Sequence, residues 1–377
     1  MKGRWLVLGI FMMGAVAPLL RGETEDEKGA ERIRETVSAR QKTEFKSFLL
    51  GDPKNSQVPQ TPIAVELYNE AIKLFQEGEL ELSKEMALDS IHLDSRNPLS
   101  FELVGDIYNV EHNLTEAKEY FKSAYLLQPS TKLREKIERI NRESSVDESF
   151  ETQETEHFII KDKGRTDFPV LKNLSVVLES IYGDIAETMG HTLKSKVVVL
   201  LYSPSEFQRI LETPHWVGGL YDGKIRLPAY QKGMSEETLQ SMVAHEMAHA
   251  FVRDVSDGKA PPWINEGVAE YFERKHLSEG LIVFNAAIRT GDVIALDQLM
   301  TEGPATKQVR DPLFENLFYE QSFHLTNYLI EKNGMFEVKN LLRKFSKSQN
   351  SDEALGAAFG MTTQELEKEW RTTFTKP

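Results

Sequence analysis

A repeat of 34 residues constrains the fold of this chain more than any other feature of its sequence. Residues 64–97 and 98–131 superimpose at that period, with small and apolar side chains at corresponding positions. A period of this length is typical of stacked pairs of antiparallel helices, because one pair alone cannot bury its apolar face. The pattern therefore predicts an all-α helical stack over residues 62–145.

The repeat resembles the tetratricopeptide repeat. The second copy carries small, aromatic and proline residues where two helices must approach closely and then turn: Gly105, Tyr108, Ala117, Phe121, Ala124 and Pro129. The first copy matches less well and has Ser83 and Ser90 at two of the small positions. Two repeats rarely bury enough surface, so a further helix predicted over 131–141 would cap the stack. The stack is either a docking surface for a protein partner or a structural prefix that packs on the next domain.

The first 61 residues have the features of an export signal followed by a spacer. Lys2 and Arg4 precede an uncharged apolar run, residues 5–20, that is short for a membrane span. We predict a signal peptide over 1–22 and a flexible polar spacer over 23–61. The alternative is an uncleaved anchor, the one case in which we expect contact with a membrane. In either case the bulk of the chain would be exported, to the periplasm or the extracellular space.

Charge and cysteine content restrict the partners and the chemistry. A formal net charge of -14 argues against binding to nucleic-acid phosphates. The chain has no cysteine, so any metal must be held by histidine and carboxylate ligands. An exported chain of this size without disulfides suits a bacterial envelope.

The pattern beyond residue 150 changes to mixed α and β. Strand character at 157–161 and 196–202 flanks a helical pattern over 168–189, and 216–227 suggests two short strands around a turn. The rest of the chain is mostly helical. We therefore predict an α+β protein, with the helical stack followed by a domain over 150–377 that combines a small mixed sheet with a mostly helical C-terminal half.

One predicted helix, residues 236–255 after the N-cap Ser235, carries the motif H-E-x-x-H at 245–249. Residues four apart lie one turn apart, so the imidazoles of His245 and His249 can bind one zinc ion. Glu246 points to the side, where it can act as a general base toward a zinc-bound water. A motif this short can arise by chance, so a third ligand is needed to support a zinc site here.

A second motif, Trp-Ile-Asn-Glu-Gly-Val-Ala-Glu-Tyr at 263–271, supplies that ligand. It resembles the second zinc motif of aminopeptidase-N-like peptidases and, more loosely, of thermolysin, the families called gluzincins. The resemblance implies a zincin-type fold in which Glu266 is the third ligand of one zinc ion. Sixteen residues lie between His249 and Glu266, fewer than we expect for either named family. The shorter spacing indicates a compact branch of the gluzincins.

Four more residues are candidates for the site. Glu270, one turn beyond Glu266, could accept a hydrogen bond from a ligand imidazole, or it could be a surface residue. The segment 318–322 resembles the stretch of aminopeptidase-N-like enzymes whose tyrosine stabilises the oxyanion, which implies that role for Tyr319; an interfacial tyrosine is the alternative. Gly218 and Gly219 could form a sheet edge to which substrate adds, or a structural hairpin.

Together these motifs predict an exported zinc-dependent metallopeptidase that acts on a peptide or protein. The Gly-x-Met-x-Asn sequence that binds the substrate amino terminus in aminopeptidases is absent, which favours an endopeptidase. The rival hypothesis is a non-catalytic scaffold, in which the repeats bind a partner and the zincin fold is structural. Glu246 argues against the scaffold, because a structural zinc site needs no general base. Hydrolysis of a substrate other than a peptide stays open.

Overall fold

The computed structural model describes residues 62–147, 150–163, 173–211, 219–228, 234–277, 280–301, 312–348 and 350–375. The predicted signal peptide and spacer lie outside these residues, and so does Gly218. The described segments all belong to one compact unit that begins at Gln60. Of the helices in these segments, none combines the length and the apolar character needed to cross a membrane.

Five helices form the N-terminal part of the described chain: α1 (Pro62–Gln76), α2 (Leu80–Leu93), α3 (Pro98–Val110), α4 (Leu114–Leu127) and α5 (Thr131–Asp147). Each packs on the next. Gly105 allows α3 and α4 to approach closely, because a Cβ there would lie 2.6 Å from the ring of Phe121. In the first pair, the hydroxyls of Ser83 and Ser90 donate to the carbonyls of Ala71 and Ala64. The five helices occupy residues 62–147, and the bounds of the stack as a domain and its tetratricopeptide character stay predictions.

A five-stranded mixed sheet follows, with strands β1 (Glu151–Glu154), β2 (Phe158–Asp162), β3 (Val197–Leu201), β4 (Leu220–Tyr221) and β5 (Ile225–Leu227). The strand order is β1-β2-β3-β5-β4, with β2, β3 and β5 parallel and both outer strands antiparallel to their neighbours. Helix α6 (Leu174–Met189) connects β2 to β3, and α7 (Pro204–Leu211) follows β3. All five residues of β3 are buried, because apolar side chains cover both faces of the sheet.

The remaining chain is helical: α8 (Glu236–Ser256), α9 (Pro262–Glu273), α10 (Ile282–Thr290), α11 (Leu296–Thr301), α12 (Pro312–Asn333), α13 (Met335–Phe345), α14 (Ser351–Phe359) and α15 (Thr363–Arg371), with a final 3₁₀ turn over Thr372–Thr375. Helix α9 packs between α8 and α12. Gly267 allows α9 and α12 to approach closely, since a Cβ there would lie 2.5 Å from the carbonyl oxygen of Ser322. These helices share one apolar core with α6 and the sheet.

A group of ionisable residues joins the N-terminal helices to the sheet, and all of them are buried except the half-buried Asp222. We call this group the charged interface: His112, Glu143, Asp222, Lys224 and Arg226. Arg226 Nη2 lies 3.1 and 3.2 Å from the two carboxylate oxygens of Glu143, and its Nη1 contacts Asp222. Lys224 Nζ lies 3.4 Å from the same carboxylate and 3.2 Å from His112 Nδ1. The stack is therefore tied to the sheet by ion pairs between residues far apart in sequence.

The prediction of a small mixed sheet beside a mostly helical remainder is confirmed. Strands β2 and β3 and helix α8 agree with their predicted positions to within about two residues, and the short pair β4 and β5 lies within the predicted range 216–227. Two details differ. The polar residues 151–154 form strand β1, which pairs with β2 although all four side chains are exposed. Helix α5 continues to Asp147 because its last turns pack on the sheet and α7, through residues that include Val146.

Candidate metal centre

Helix α8 places the two predicted histidine ligands side by side. Its N-terminus is capped by Ser235, whose hydroxyl accepts a hydrogen bond from the backbone N–H of Thr238. One turn separates His245 from His249, and their ring centroids lie 4.8 Å apart. The helix is held in place by its buried apolar face, so the two rings project together toward α9.

Helix α9 brings Glu266 to these rings. Pro261 and Pro262 end the preceding segment, and Pro262 is the first residue of the helix, where its missing N–H costs nothing. Trp263 is fully buried and anchors this first turn in the core. Glu266 Oε2 lies 3.6 Å from His245 Nε2 and 3.5 Å from His249 Nε2. The three residues thus converge as one group of ligand atoms.

The geometry of this group fits a zinc ion. Tetrahedral zinc binds nitrogen and oxygen ligands at about 2.0–2.1 Å, which separates two ligand atoms by about 3.4 Å. The two separations at Glu266 are close to that value. Two imidazoles and one carboxylate are also the donor types that zinc prefers. The residues present therefore suit the metal that the motifs imply.

Hydrogen bonds to the outer ring nitrogens orient both imidazoles. His245 Nδ1 lies 2.7 Å from Glu273 Oε2, and His249 Nδ1 lies 3.0 Å from Asn265 Oδ1. Each contact leaves Nε2 directed at the ligand group, the usual arrangement at zinc sites. Burial alone would lower the pKa of His245, but hydrogen bonds to Glu266 and Glu273 overcome it and raise the pKa well above its usual value. This excess of negative charge favours a bound cation.

Glu270 does not have the predicted partner. Its carboxylate forms an ion pair with Arg274, one turn along the same helix, at 2.7 Å. The carboxylate on His245 belongs to Glu273 instead, which lies two turns beyond Glu266 and therefore on the same face of α9. The spacing of seven residues was the signal that could have identified Glu273. The position of Glu270 is explained by the basic residue four positions later, with which it pairs on the helix surface.

Glu246 lies beside the ligand group and is only 6% exposed. Burial raises the pKa of Glu246 to about 7, and the nearby carboxylate of Glu266 contributes in the same direction. Gly219, at the start of β4, packs directly on it, since a Cβ there would lie 2.5 Å from Glu246 Oε1. Gly219 is thus required for the close approach of the backbone to this carboxylate.

A cavity of about 590 Å³ lies in front of the ligand group, and Glu246, Gly219 and Tyr319 line it. Tyr319 projects from α12, where its ring packs edge-on against Phe318. Burial, together with the charge of Glu266, raises the pKa of Tyr319 above its usual value, so its hydroxyl stays protonated. The structure therefore brings Tyr319 and Gly219 to the cavity that contains the three candidate ligands.

Comparison with protein families identifies the domain that carries this site. Residues 181–376 match the model of the Peptidase MA superfamily. The chain belongs to the Peptidase MA superfamily. The matched region runs from α6 to the C-terminus and contains the ligand group, Glu246 and Tyr319. Members of the Peptidase MA superfamily are typically metal-dependent, so the match supports a peptidase with a metal centre at this site. No curated protein sequence matches the chain.

Proposed function

We propose that the protein is an exported zinc-dependent endopeptidase in which His245, His249 and Glu266 hold one zinc ion. The observation that carries the proposal is the convergence of these three residues beside a buried glutamate at the wall of one cavity. The superfamily match supports the peptidase class. Zinc itself is supported by the ligand types and by the separations of their ligand atoms.

The roles of the other residues follow from their positions. A zinc ion bound at the site would supply a Lewis acid that polarises the substrate carbonyl and acidifies water. Glu246, which lines the cavity beside the ligand group, takes a proton from the attacking water and gives it to the leaving amine. Tyr319 donates a hydrogen bond to the oxyanion as negative charge develops there. Glu273 and Asn265 keep the two imidazoles in orientation.

An endopeptidase is favoured by the way in which substrate could bind. Strand β4 is the last strand in the sheet order, and both of its residues, Leu220 and Tyr221, line the cavity. An extended peptide could therefore bind along this edge as an added strand, with an internal peptide bond at the ligand group. The sequence lacks the motif with which aminopeptidases bind a free amino terminus.

Export and the role of the helical stack are further parts of the proposal. Export rests on Lys2, Arg4 and the apolar run after them. The tetratricopeptide-like character of α1–α5 rests on the 34-residue period and on the close contact of Gly105 with Phe121. The rival function, a non-catalytic scaffold, would use the same helices to bind a protein partner. It gives no role to Glu246, which is buried at the cavity.

The decisive experiment combines metal analysis with a cleavage assay. Wild type should contain about one zinc ion per chain, and His249→Ala should lose it. Glu246→Gln should stay folded and zinc-loaded but cleave casein about a hundredfold to ten-thousandfold more slowly. Glu237→Gln, the same change in the exposed first turn of α8, is the matched control and should behave like wild type. Wild type that cannot bind zinc contradicts the proposal, and zinc binding without cleavage of any protein favours the scaffold.

A further inference from the structure

The N-terminal helices contribute to the wall of the cavity. Phe75 and Gln76, the last two residues of α1, line it together with the candidate metal ligands. The turn that follows is held against the peptidase domain: Lys194 Nζ donates to the carbonyl of Glu77 at 2.6 Å, and a Cβ on Gly78 would lie 2.9 Å from Asp254 Oδ1. The turn directly after Phe75 and Gln76 is therefore fixed against the peptidase domain.

Arg253, on α8, lines the same cavity and also a smaller neighbouring cavity of about 60 Å³. It follows His249 by one helical turn, so its Cα lies about 6 Å farther along the helix axis. Its guanidinium group lies 5.6 Å from the centroid of the Phe75 ring, within the range of a cation–π contact. Of the described residues that line the cavity, Arg253 is the one with a permanent positive charge.

The carboxylates near Arg253 do not neutralise it. Asp254 pairs with His191 at 2.6 Å, and Asp222 pairs with Arg139 at 2.7 Å and with Arg226. Asp257 lines the same cavity without forming an ion pair with Arg253. Within the described part of the chain, no carboxylate oxygen lies within 4.0 Å of this guanidinium. Arg253 therefore keeps its donor groups available to a molecule in the cavity.

A guanidinium group flanked by an aromatic ring is a site for a carboxylate. Its planar donors match the two oxygens of a carboxylate, and the ring holds the group in place without competing for those donors. Arg253 also lines the cavity that contains the candidate metal ligands, so a molecule in that cavity can reach both.

We propose that Arg253 and Phe75 form a substrate subsite that binds a carboxylate of the peptide in the cavity that contains the candidate metal ligands. This inference rests on the proposed peptidase function and adds a substrate class to it. The carboxylate comes either from an acidic side chain or from the C-terminus of a short peptide. The helical stack would then determine specificity directly, since it supplies Phe75.

Binding of peptides to the zinc-loaded Glu246→Gln variant tests the subsite apart from turnover. Three fluorescein-labelled octapeptide pools of otherwise identical composition serve as probes: one with internal Gln and an amidated C-terminus, one with internal Glu and an amidated C-terminus, and one with internal Gln and a free C-terminus. We expect one of the two carboxylate pools to bind about tenfold tighter than the neutral pool at physiological salt. The pool that gains affinity identifies the source of the carboxylate.

Substitutions assign that difference to the subsite. In the same background, Arg253→Gln should bind all three pools alike, and Arg253→Lys should keep part of the difference because it retains the charge but not the planar donors. Phe75→Leu should reduce the difference as well. Lys259→Gln removes an exposed cation whose Nζ contacts the carbonyl of Ser346 and which does not line the cavity, so it should leave the difference unchanged.

Three results would overturn the subsite: equal binding of the pools, a difference that survives in Arg253→Gln, or no binding of any pool. Cleavage of casein by wild type is measured in parallel. If casein is cleaved while the pools bind alike, the subsite is wrong and the proposed function stands. If casein is not cleaved and the difference depends on Arg253, the cavity binds carboxylates without the proposed activity.

Discussion

The metal centre and the charged interface both bury several ionisable side chains, but they leave them in different states. In the charged interface each group has a partner of opposite charge or a matching hydrogen-bonding group. Burial alone would raise the pKa of Glu143, yet Arg226 and Lys224 overcome it and hold the pKa well below its usual value. In the metal centre Glu266 and two imidazoles point at one another and at a cavity, with carboxylates in excess.

This difference separates a structural role from a functional one. Ion pairs that satisfy one another connect two parts of the fold and leave no ligand atom facing the cavity. Metal-ligand atoms that converge with net negative charge repel one another, which lowers the stability of the folded protein until a cation binds between them. Substitutions in the charged interface should therefore change stability, and substitutions in the metal centre should change metal binding and catalysis.

The largest effect on stability is expected from Glu143→Gln. This change leaves the buried cations Lys224 and Arg226 with a neutral amide in place of their shared carboxylate. Removing one partner of a buried ion pair costs about 3–5 kcal/mol, so we expect the free energy of unfolding to fall by that amount. Urea denaturation measures the loss, and the protein that remains folded should still bind about one zinc ion.

Glu138→Gln is the matched control, because it makes the same change on the same helix at a side chain that is 55% exposed. We expect it to alter the free energy of unfolding by less than about 0.5 kcal/mol. Equal stability of the two variants would mean that the charged interface does not hold the stack on the sheet. Loss of zinc from folded Glu143→Gln would mean that the two regions are coupled.

A smaller and pH-dependent effect is expected at His112. Its Nε2 lies 2.7 Å from Asp147 Oδ1, and its Nδ1 must accept a hydrogen bond from the Lys224 ammonium. The ring is therefore neutral, and burial lowers the pKa of His112 to about 4. Between about pH 4 and pH 6.5 the unfolded chain binds a proton at His112 that the folded chain does not bind. The free energy of unfolding therefore falls as the pH falls through this range. The loss is at most about 3 kcal/mol.

His112→Asn removes the titrating group and tolerates the positive φ of 60° at this position. Its free energy of unfolding should therefore fall less steeply than that of wild type between pH 6.5 and 4. His92→Asn makes the same change at an exposed position on α2 and controls for the substitution itself. Protonation of the metal ligands affects all three proteins alike, so the slopes are compared with one another. A wild-type slope in His112→Asn would contradict the assignment.

The two regions also differ in how far the sequence predicts them. His245, His249 and Glu266 lie within 22 residues, on helices whose caps and proline break are visible in the sequence. Helical spacing predicted that the two imidazoles lie side by side, and the resemblance of the second motif to gluzincins implied Glu266 as the third ligand. The charged interface joins residues up to 112 positions apart, such as Lys224 and His112. A charged residue in a loop or a short strand carries no local sign that a distant helix will bury it.

Packing also explains two contacts near the metal centre that the sequence did not predict. Phe75 and Arg253 meet only because the stack docks on the peptidase domain, and no pattern within either segment specifies that contact. Glu270 and Glu273 differ in a subtler way. Glu270 lies one turn beyond Glu266 and Glu273 lies two turns beyond it. Arg274 pairs with Glu270, which leaves Glu273 to bind His245.

The smallest predicted effect distinguishes Glu273 from Glu270 as the residue that orients His245. Glu273→Gln weakens the acceptor that orients His245 and removes negative charge, so zinc affinity should fall about 10- to 100-fold. Glu270→Gln removes a carboxylate already paired with Arg274 and should lower zinc affinity less than Glu273→Gln does. Competition with a chelator of known zinc affinity measures both variants at the same pH. A larger loss in Glu270→Gln than in Glu273→Gln would show that the prediction from helical spacing was right and that Glu270 orients the ligand when zinc is bound.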